Sequence, residues 1–377
     1  MSTSRRDFIK GAAMAGVGGA AFPGDLSAGS PQECPSGKAV HSILEADHPY
    51  IYIDSCMQMW PDADFQYVHG HGVTTYALTA WDPHAEADAA LRGLMYWHGI
   101  AREHDNLLVV ESVEDIRRAK RERRAGLLLA AQCGDWVGYD LSRVEAFQKA
   151  GLRMMLLAYN ATNQLCDGCL DRTDGGLSLL GQRVVEECNR VGIVLDCTHT
   201  GRRATFEIME RSEQPTVYSH SNAAALVPSP RNIDDQQIRA CAAGGGVISL
   251  VSWGPLVIRP RATERPTLDD FIDHIDHVSQ LVGSTDNIAI STDMSIGTYP
   301  DHEHDPFGAP QYADFTAQYN RNVTADIRSP ERNVDGYSDY AEIVYVAERL
   351  LARGYSDQDI HKIFGENLLR VFEEVWK

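Results

Sequence analysis

The chain has 377 residues, of which 44% are hydrophobic and 23% charged, long enough for a full core and ordinary for a globular fold. Its formal net charge of −19 argues against nucleic acid or an anionic membrane surface as partner, because both are held by clustered Lys and Arg.

Arg5-Arg6, then Phe8-Ile9-Lys10, precede a Gly/Ala-rich run over residues 11–22 that is too short and too weakly apolar to span a bilayer. The pattern resembles the twin-arginine (Tat) signal of bacterial exported proteins. The expectation is an export signal over residues 1–29, cleaved between Ala20 and Gly29, then a linker over 30–49. The mature protein would be periplasmic or extracytoplasmic, with the Tat export machinery as a transient partner.

From residue 50 the pattern alternates between short apolar runs and amphipathic segments. Residues 50–54 read as a strand running into Ser55-Cys56-Met57-Gln58, and 73–79 as a second, followed by a helix over 85–104. His69-Gly70-His71 precedes a strand, the wrong end for a barrel site. After the apolar run 107–110, Ser112 and Asp115 form a capping box, and the basic segment 117–124 reads as the solvated face of that helix. Residues 126–131 are a buried strand ending in Gln132-Cys133-Gly134; successive residues point to opposite faces, so Cys133 should point away from Gln132. A helix over 141–150 and a strand over 153–158 lead into Tyr159-Asn160.

Cys166-Asp167-Gly168-Cys169 has redox spacing but sits in a Gly/Asp-rich loop, and reads as a loop pair whose oxidation after export is left open. After a helix over 177–190 come Gly192-Ile193-Val194-Leu195-Asp196-Cys197-Thr198-His199 and, one helix later (202–211), Pro215-Thr216-Val217-Tyr218-Ser219-His220-Ser221-Asn222. Each is an apolar run ending in a polar residue and then a histidine. His199 and His220 would thus sit at the carboxyl ends of neighbouring parallel strands, where α/β folds place their sites. Neutral imidazoles are the usual ligands of zinc and similar ions; a structural role for the pair is the competing reading.

A helix over 232–243, a strand over 246–251, a helix over 267–282 and a strand over 287–293 ending in Asp293 follow. About eight strand-then-helix units favour one α/β fold, a TIM-like (β/α)₈ barrel over residues 50–377, with two C-terminal helices packed on its outside. Asp301-His302-Glu303-His304-Asp305 reads as a solvated lid loop.

Several stretches resemble the membrane (renal) dipeptidase family of metallopeptidases. They are residues 181–190 running into 192–199, Ser219-His220-Ser221-Asn222, Pro228-Ser229-Pro230-Arg231-Asn232, Asp273-His274-Ile275-Asp276-His277, and the C-terminal run 363–372. The resemblance implies a metal-dependent hydrolase barrel with two zinc ions, one held by a His-x-Asp of the first strand, the other by two histidines, with a bridging glutamate. On this chain the two histidines would be His199 and His220. Arg231 would hold the substrate carboxylate, Asp293 would handle the proton, and Tyr159 and Asn160 would flank the substrate. Three positions depart from the pattern: Cys56 and Gln58 stand in the His-x-Asp, and Gln132 replaces the bridging glutamate. Tyr159 also stands where a further family histidine belongs.

A neutral glutamine cannot offset two divalent charges, so the expected remnant is one ion on His199 and His220. Cys56 is a third candidate ligand if its thiolate forms, and Asp293 or water a fourth. The reading is therefore an exported dipeptidase-like metallohydrolase acting on a dipeptide or related small amide, with one zinc ion or none. A second copy of the chain is a candidate partner. The alternatives are a metal-free binding or accessory protein and an enzyme of changed chemistry on the same barrel.

Overall fold

The computed structural model describes residues 50–60, 62–65, 67, 71–298 and 330–377. The export signal, the linker, His69 and the 301–305 loop lie outside them.

The described chain runs β1 (Ile53–Met59), β2 (Thr75–Thr79), α1 (Ala87–Glu103), β3 (Leu107–Val109), α2 (Val113–Glu122), β4 (Ala125–Ala131), α3 (Ser142–Lys149) and β5 (Leu152–Leu156). It continues with α4 (Leu179–Val191), β6 (Val194–Asp196), α5 (Arg202–Arg211), β7 (Val217–Tyr218), α6 (Asp235–Ala243), β8 (Val247–Val251), α7 (Leu268–Val282), β9 (Ile288–Ser291) and β10 (Ser295–Ile296). Three C-terminal helices follow: α8 (Ile343–Ala352), α9 (Asp357–His361) and, after a wider turn over Lys362–Glu366, α10 (Asn367–Val375). Local chemistry sets several boundaries. Ser112 and Asp115 cap α2 reciprocally, Thr267 and Asp270 do the same for α7, and α4 stops at Gly192 in the left-handed region at φ 85°.

All strands pair in parallel, in the order β10-β1-β2-β4-β5-β6-β7-β8-β9, with β3 paired only to the start of β4. The ring closes between β9/β10 and β1, as the barrel reading requires. Asp293 N donates to Cys56 O at 2.9 Å and Gln58 N to Met294 O at 2.8 Å. Below them the buried Asp54 carboxylate accepts Thr292 N at 3.0 Å, Thr292 Oγ1 at 2.6 Å and Tyr340 Oη at 2.6 Å.

Alternation along the strands separates two apolar cores. Tyr76, Leu78, Leu127, Leu129 and Met155 face outward and pack with the helices. Ile53, Ala77, Leu128, Met154, Val194 and Val247 fill the interior together with Leu368, Val371, Phe372 and Val375 of α10. The last helix therefore plugs the amino-terminal end of the barrel, a correction to its expected place outside. Its i, i+3, i+4, i+7 stripe announces burial but not the surface that meets it.

The predicted runs 192–199 and 215–222 are regular strand only over β6 and β7. Beyond those residues the chain leaves the ladder and turns its polar side chains into the mouth. Conversely, β1 extends past residue 54, so Cys56 and Gln58 belong to the strand itself. Cys166 and Cys169 are both free thiols, Cys166 buried and Cys169 turned towards Asn160 Oδ1 at 3.6 Å.

Candidate active site at the barrel mouth

The carboxyl ends of the strands converge on one polar region, and the backbone is bent to aim it. Asn160, His199 and Asp293 are three of only five non-glycine residues with positive φ among the described residues, at 64°, 63° and 52°. Asn, His and Asp tolerate that conformation better than most residues, yet each still costs on the order of 1 kcal/mol. Each lies just beyond its strand, so the strain is spent on direction.

His199 and His220 are both buried, with their Nε2 atoms 2.9 Å apart. His199 Nδ1 bonds Asn160 Oδ1 at 2.6 Å, an oxygen that also accepts the Cys169 thiol. An acceptor there places the proton on His199 Nδ1 and leaves Nε2 bare. His220 Nδ1 lies 2.7 Å from Ser219 Oγ, whose hydroxyl closes on Asp196 Oδ2. With that hydroxyl proton on Asp196, His220 Nδ1 is the donor and its Nε2 is bare as well.

Two lone pairs then face each other. Burial, reinforced by the Arg231 charge, holds both imidazoles well below the usual histidine range, so both are neutral at pH 7. Tetrahedral zinc with bonds of 2.0–2.1 Å sets its nitrogens roughly 3.3 Å apart. A separation change of roughly 0.4 Å would seat an ion, so the pair fits one metal. Asn160, Ser219 and Asp196 are the outer groups that fix tautomer and ring orientation in such sites.

The β1/β4 side is different. Gln132 Nε2 donates to Cys56 Sγ at 2.9 Å, and that thiol faces Asp293 Oδ1 at 3.8 Å. Burial, with Asp293 next, pushes the Cys56 thiol well above its ordinary range, so it keeps its proton. Gln58 Oε1 is buried and accepts nothing among the described residues. Gln132 puts a neutral amide where a bridging carboxylate belongs, and the Asp293 carboxyl is turned to the Cys56 thiol, so these residues do not fit a bridged pair of divalent ions.

Nor does the structure gather Cys56 with the two histidines as a third ligand. Among the described residues the one group of three donors lying within 4.8 Å of one another is His84, Cys133 and Asp135. Cys56 packs against Gln132 instead, the inward-facing residue just beyond β4, across the intervening β2. Burial raises the Asp293 carboxyl to about 7, with Arg231 pulling it back and Asp54 pushing it up. A group poised there exchanges protons at neutral pH.

A cavity of about 520 Å³ opens above these residues. Gln58, Tyr159, His199, Arg231 and Asp293 line it, which brings most of the residues singled out in the sequence to one space. Tyr159 stacks on His199 with ring centroids 4.0 Å apart. Asn160 sits behind His199 and is absent from the lining, so its place is with the ring and not with a ligand.

Other lining residues escaped the sequence reading. Arg332 is buried beneath the Trp253 ring, and Asp62, Asp64 and Asp339 form an acidic wall. They come from distant segments with no local pattern, so only the closed fold assembles them. Asp196 and Ser219 were visible as polar residues in apolar strands, a signal for inward-facing support.

Residues 62–328 match the membrane dipeptidase family (peptidase family M19). The chain belongs to that family. A curated relative of this family member, the dipeptidase tcpJ of Claviceps purpurea, is 26% identical over 275 residues, covering 72% of this chain and 56% of the relative. The chain thus spans little more than half of that protein's length. An uncharacterised protein from the pqqA 5′ region of Klebsiella pneumoniae is 27% identical over 290 residues, 74% of this chain and 92% of that one.

Among solved structures, an amidohydrolase from Pseudomonas aeruginosa superposes with a TM-score of 0.74 at 28% identity, covering 88% of this chain and 98% of its own. The probable dipeptidase PvdM of the same organism has the same TM-score at 23% identity, covering 90% and 98%, and shares the fold. The fold shared with these two structures is the TIM-like architecture expected of a metal-dependent peptidase family.

Proposed function

We propose that this family member hydrolyses the amide bond of a dipeptide or a related small amide, using one zinc-class ion held by His199 and His220. The observation that carries the reading is that His199, Arg231 and Asp293 line one cavity. That cavity carries both charge signs, guanidinium groups at Arg231 and Arg332 and carboxylates at Asp62, Asp64 and Asp339, which suits a small zwitterion. Arg231 would clamp the substrate carboxylate. Gln58 Oε1, a buried acceptor, would take a hydrogen bond from a substrate N–H. Asp293 would take a proton from the water that attacks the carbonyl carbon and deliver it to the amine nitrogen as the C–N bond breaks. The ion, when bound, polarises the scissile carbonyl. The Arg5-Arg6 leader supports export by the twin-arginine route before the enzyme acts.

The Gln132–Cys56 contact at 2.9 Å favours a second reading, a binding or accessory protein that keeps the pocket without the chemistry. A panel of dipeptides and their C-terminally amidated counterparts separates the two. The hydrolase reading expects free-carboxyl dipeptides to be cleaved and Arg231→Ala to lower kcat/KM about 100-fold on them, from losing about 3 kcal/mol of charge-assisted bonding. The amidated forms should respond little. No turnover of any dipeptide by zinc-supplemented protein would contradict it.

A further inference from the structure

One cluster of metal-ligating side chains lies outside the site just described. His84 follows β2, Cys133 follows β4, and Asp135 opens the single turn Asp135–Val137. Because β2 and β4 are neighbours, their carboxyl ends bring these residues together. Strand alternation separates them from the mouth: Gln132 turns inward to Cys56, and Cys133 turns the other way.

His84 Nδ1 is 3.1 Å from Asp135 Oδ2, and the Cys133 sulfur completes a set of three donors lying within 4.8 Å of one another. Zinc bonds of 2.0–2.3 Å to nitrogen, oxygen and sulfur place tetrahedral ligands roughly 3.2–3.7 Å apart, so the set is near the required size. Asn163 Nδ2 supports it from behind, donating to Asp135 Oδ1 at 2.9 Å and reaching Cys133 Sγ at 3.6 Å. Its Oδ1 is committed to Leu165 N and Cys166 N, which fixes the amide. Cys133 is buried, while His84 and Asp135 are each about one quarter exposed, which leaves an approach from solvent.

We infer that His84, Cys133 and Asp135 form a mononuclear site for a zinc-class transition metal, separate from the His199/His220 pair. One thiolate, one imidazole and one carboxylate leave a fourth position for water. Binding displaces the Cys133 thiol proton to solvent as the S–metal bond forms, so affinity rises with pH. The site sits beside the substrate cavity: the His84 ring meets Tyr159 edge-on at 6.0 Å, and Tyr159 stacks on His199. A metal there ties the β2 and β4 loops against the ring that walls the mouth.

The test is a cobalt(II) titration of the metal-stripped full-length His220→Ala variant, which has lost the other pair. Cobalt is read by its thiolate-to-metal charge-transfer absorption, which surface carboxylates do not produce. The expected result is one equivalent of cobalt with that absorption, abolished by adding Cys133→Ala and retained when Cys56→Ala is added instead. The partly exposed His84→Ala, which leaves the core untouched, should weaken binding by roughly tenfold or more. Absence of the absorption in His220→Ala, or its loss with Cys56→Ala and survival in Cys133→Ala, would overturn the site and leave His84–Asp135 as an ordinary ion pair.

Discussion

The two sides of the barrel mouth hold similar numbers of polar side chains yet prepare them in opposite ways. On the β6/β7 side, two neutral imidazoles have their outer nitrogens fixed by Asn160 and the Ser219–Asp196 pair, and present bare nitrogens at 2.9 Å. On the β1/β4 side, burial keeps the Cys56 thiol protonated and a glutamine amide donates to its sulfur. The first side can take a cation without giving up a proton; the second must first make a thiolate against its own desolvation. Ligand readiness is set by protonation and by the partners behind the donor as much as by the donor type. Cys133 shares the obstacle, since burial and the Asp135 charge push its thiol up to about 12. It differs from Cys56 in having a histidine and a carboxylate both within 4.8 Å, whereas Cys56 faces the Asp293 carboxyl and a glutamine amide.

The strongest way to break the contrast is to erase it. Cys56→His, Gln58→Asp and Gln132→Glu together restore the acids and imidazole implied by the family pattern, and should add one ion per chain by elemental analysis. If the triple variant folds and binds no more metal than the parent, these three residues are not what limits the site.

The β1/β9 seam gives the next effect. Burial raises Asp54 to about 6 despite hydrogen bonds from Thr292 and Tyr340. A folded value above the unfolded one contributes stability that is fully present below the unfolded value, near 4, and is lost as pH rises through about 6. The unfolding free energy of the parent relative to Asp54→Asn should therefore fall by about 2 kcal/mol from pH 4 to pH 8. Denaturant unfolding across that range checks it, and a pH-independent difference would show that Asp54 does not titrate there.

The smallest effect sharpens the β6/β7 side. Ser219→Ala removes the link between His220 and Asp196 without touching either ring, and should weaken metal at the histidine pair roughly tenfold. Competition with a chelating dye measures it. Unchanged affinity would mean that the hydroxyl does not set the His220 tautomer.

Legibility in the sequence followed the range of the physics. The alternating strand and helix periods, the capping boxes of α2 and α7, and the two histidines ending apolar runs are local signals, and the folded chain contains the corresponding barrel elements. The destination of α10 was hidden because an amphipathic stripe does not name its partner. Cys56 as a companion of His199 and His220 was a reasonable inference from chemistry alone. The β1 register, which hands its sulfur to Gln132, is a long-range property. Arg332 and Asp339 meet Arg231 only through the closed barrel and its C-terminal segment, and His84 reaches Cys133 only because β2 and β4 are adjacent.

The central claim is that one ion, and no bridged pair, is held by His199 and His220. The most direct test is elemental analysis of protein purified without chelators and then equilibrated with zinc, comparing the parent with His220→Ala. The account predicts a loss of one zinc per chain, whatever is bound at His84, Cys133 and Asp135. A loss of two would mean a bridged centre after all, and no loss would remove the histidine pair as a metal site.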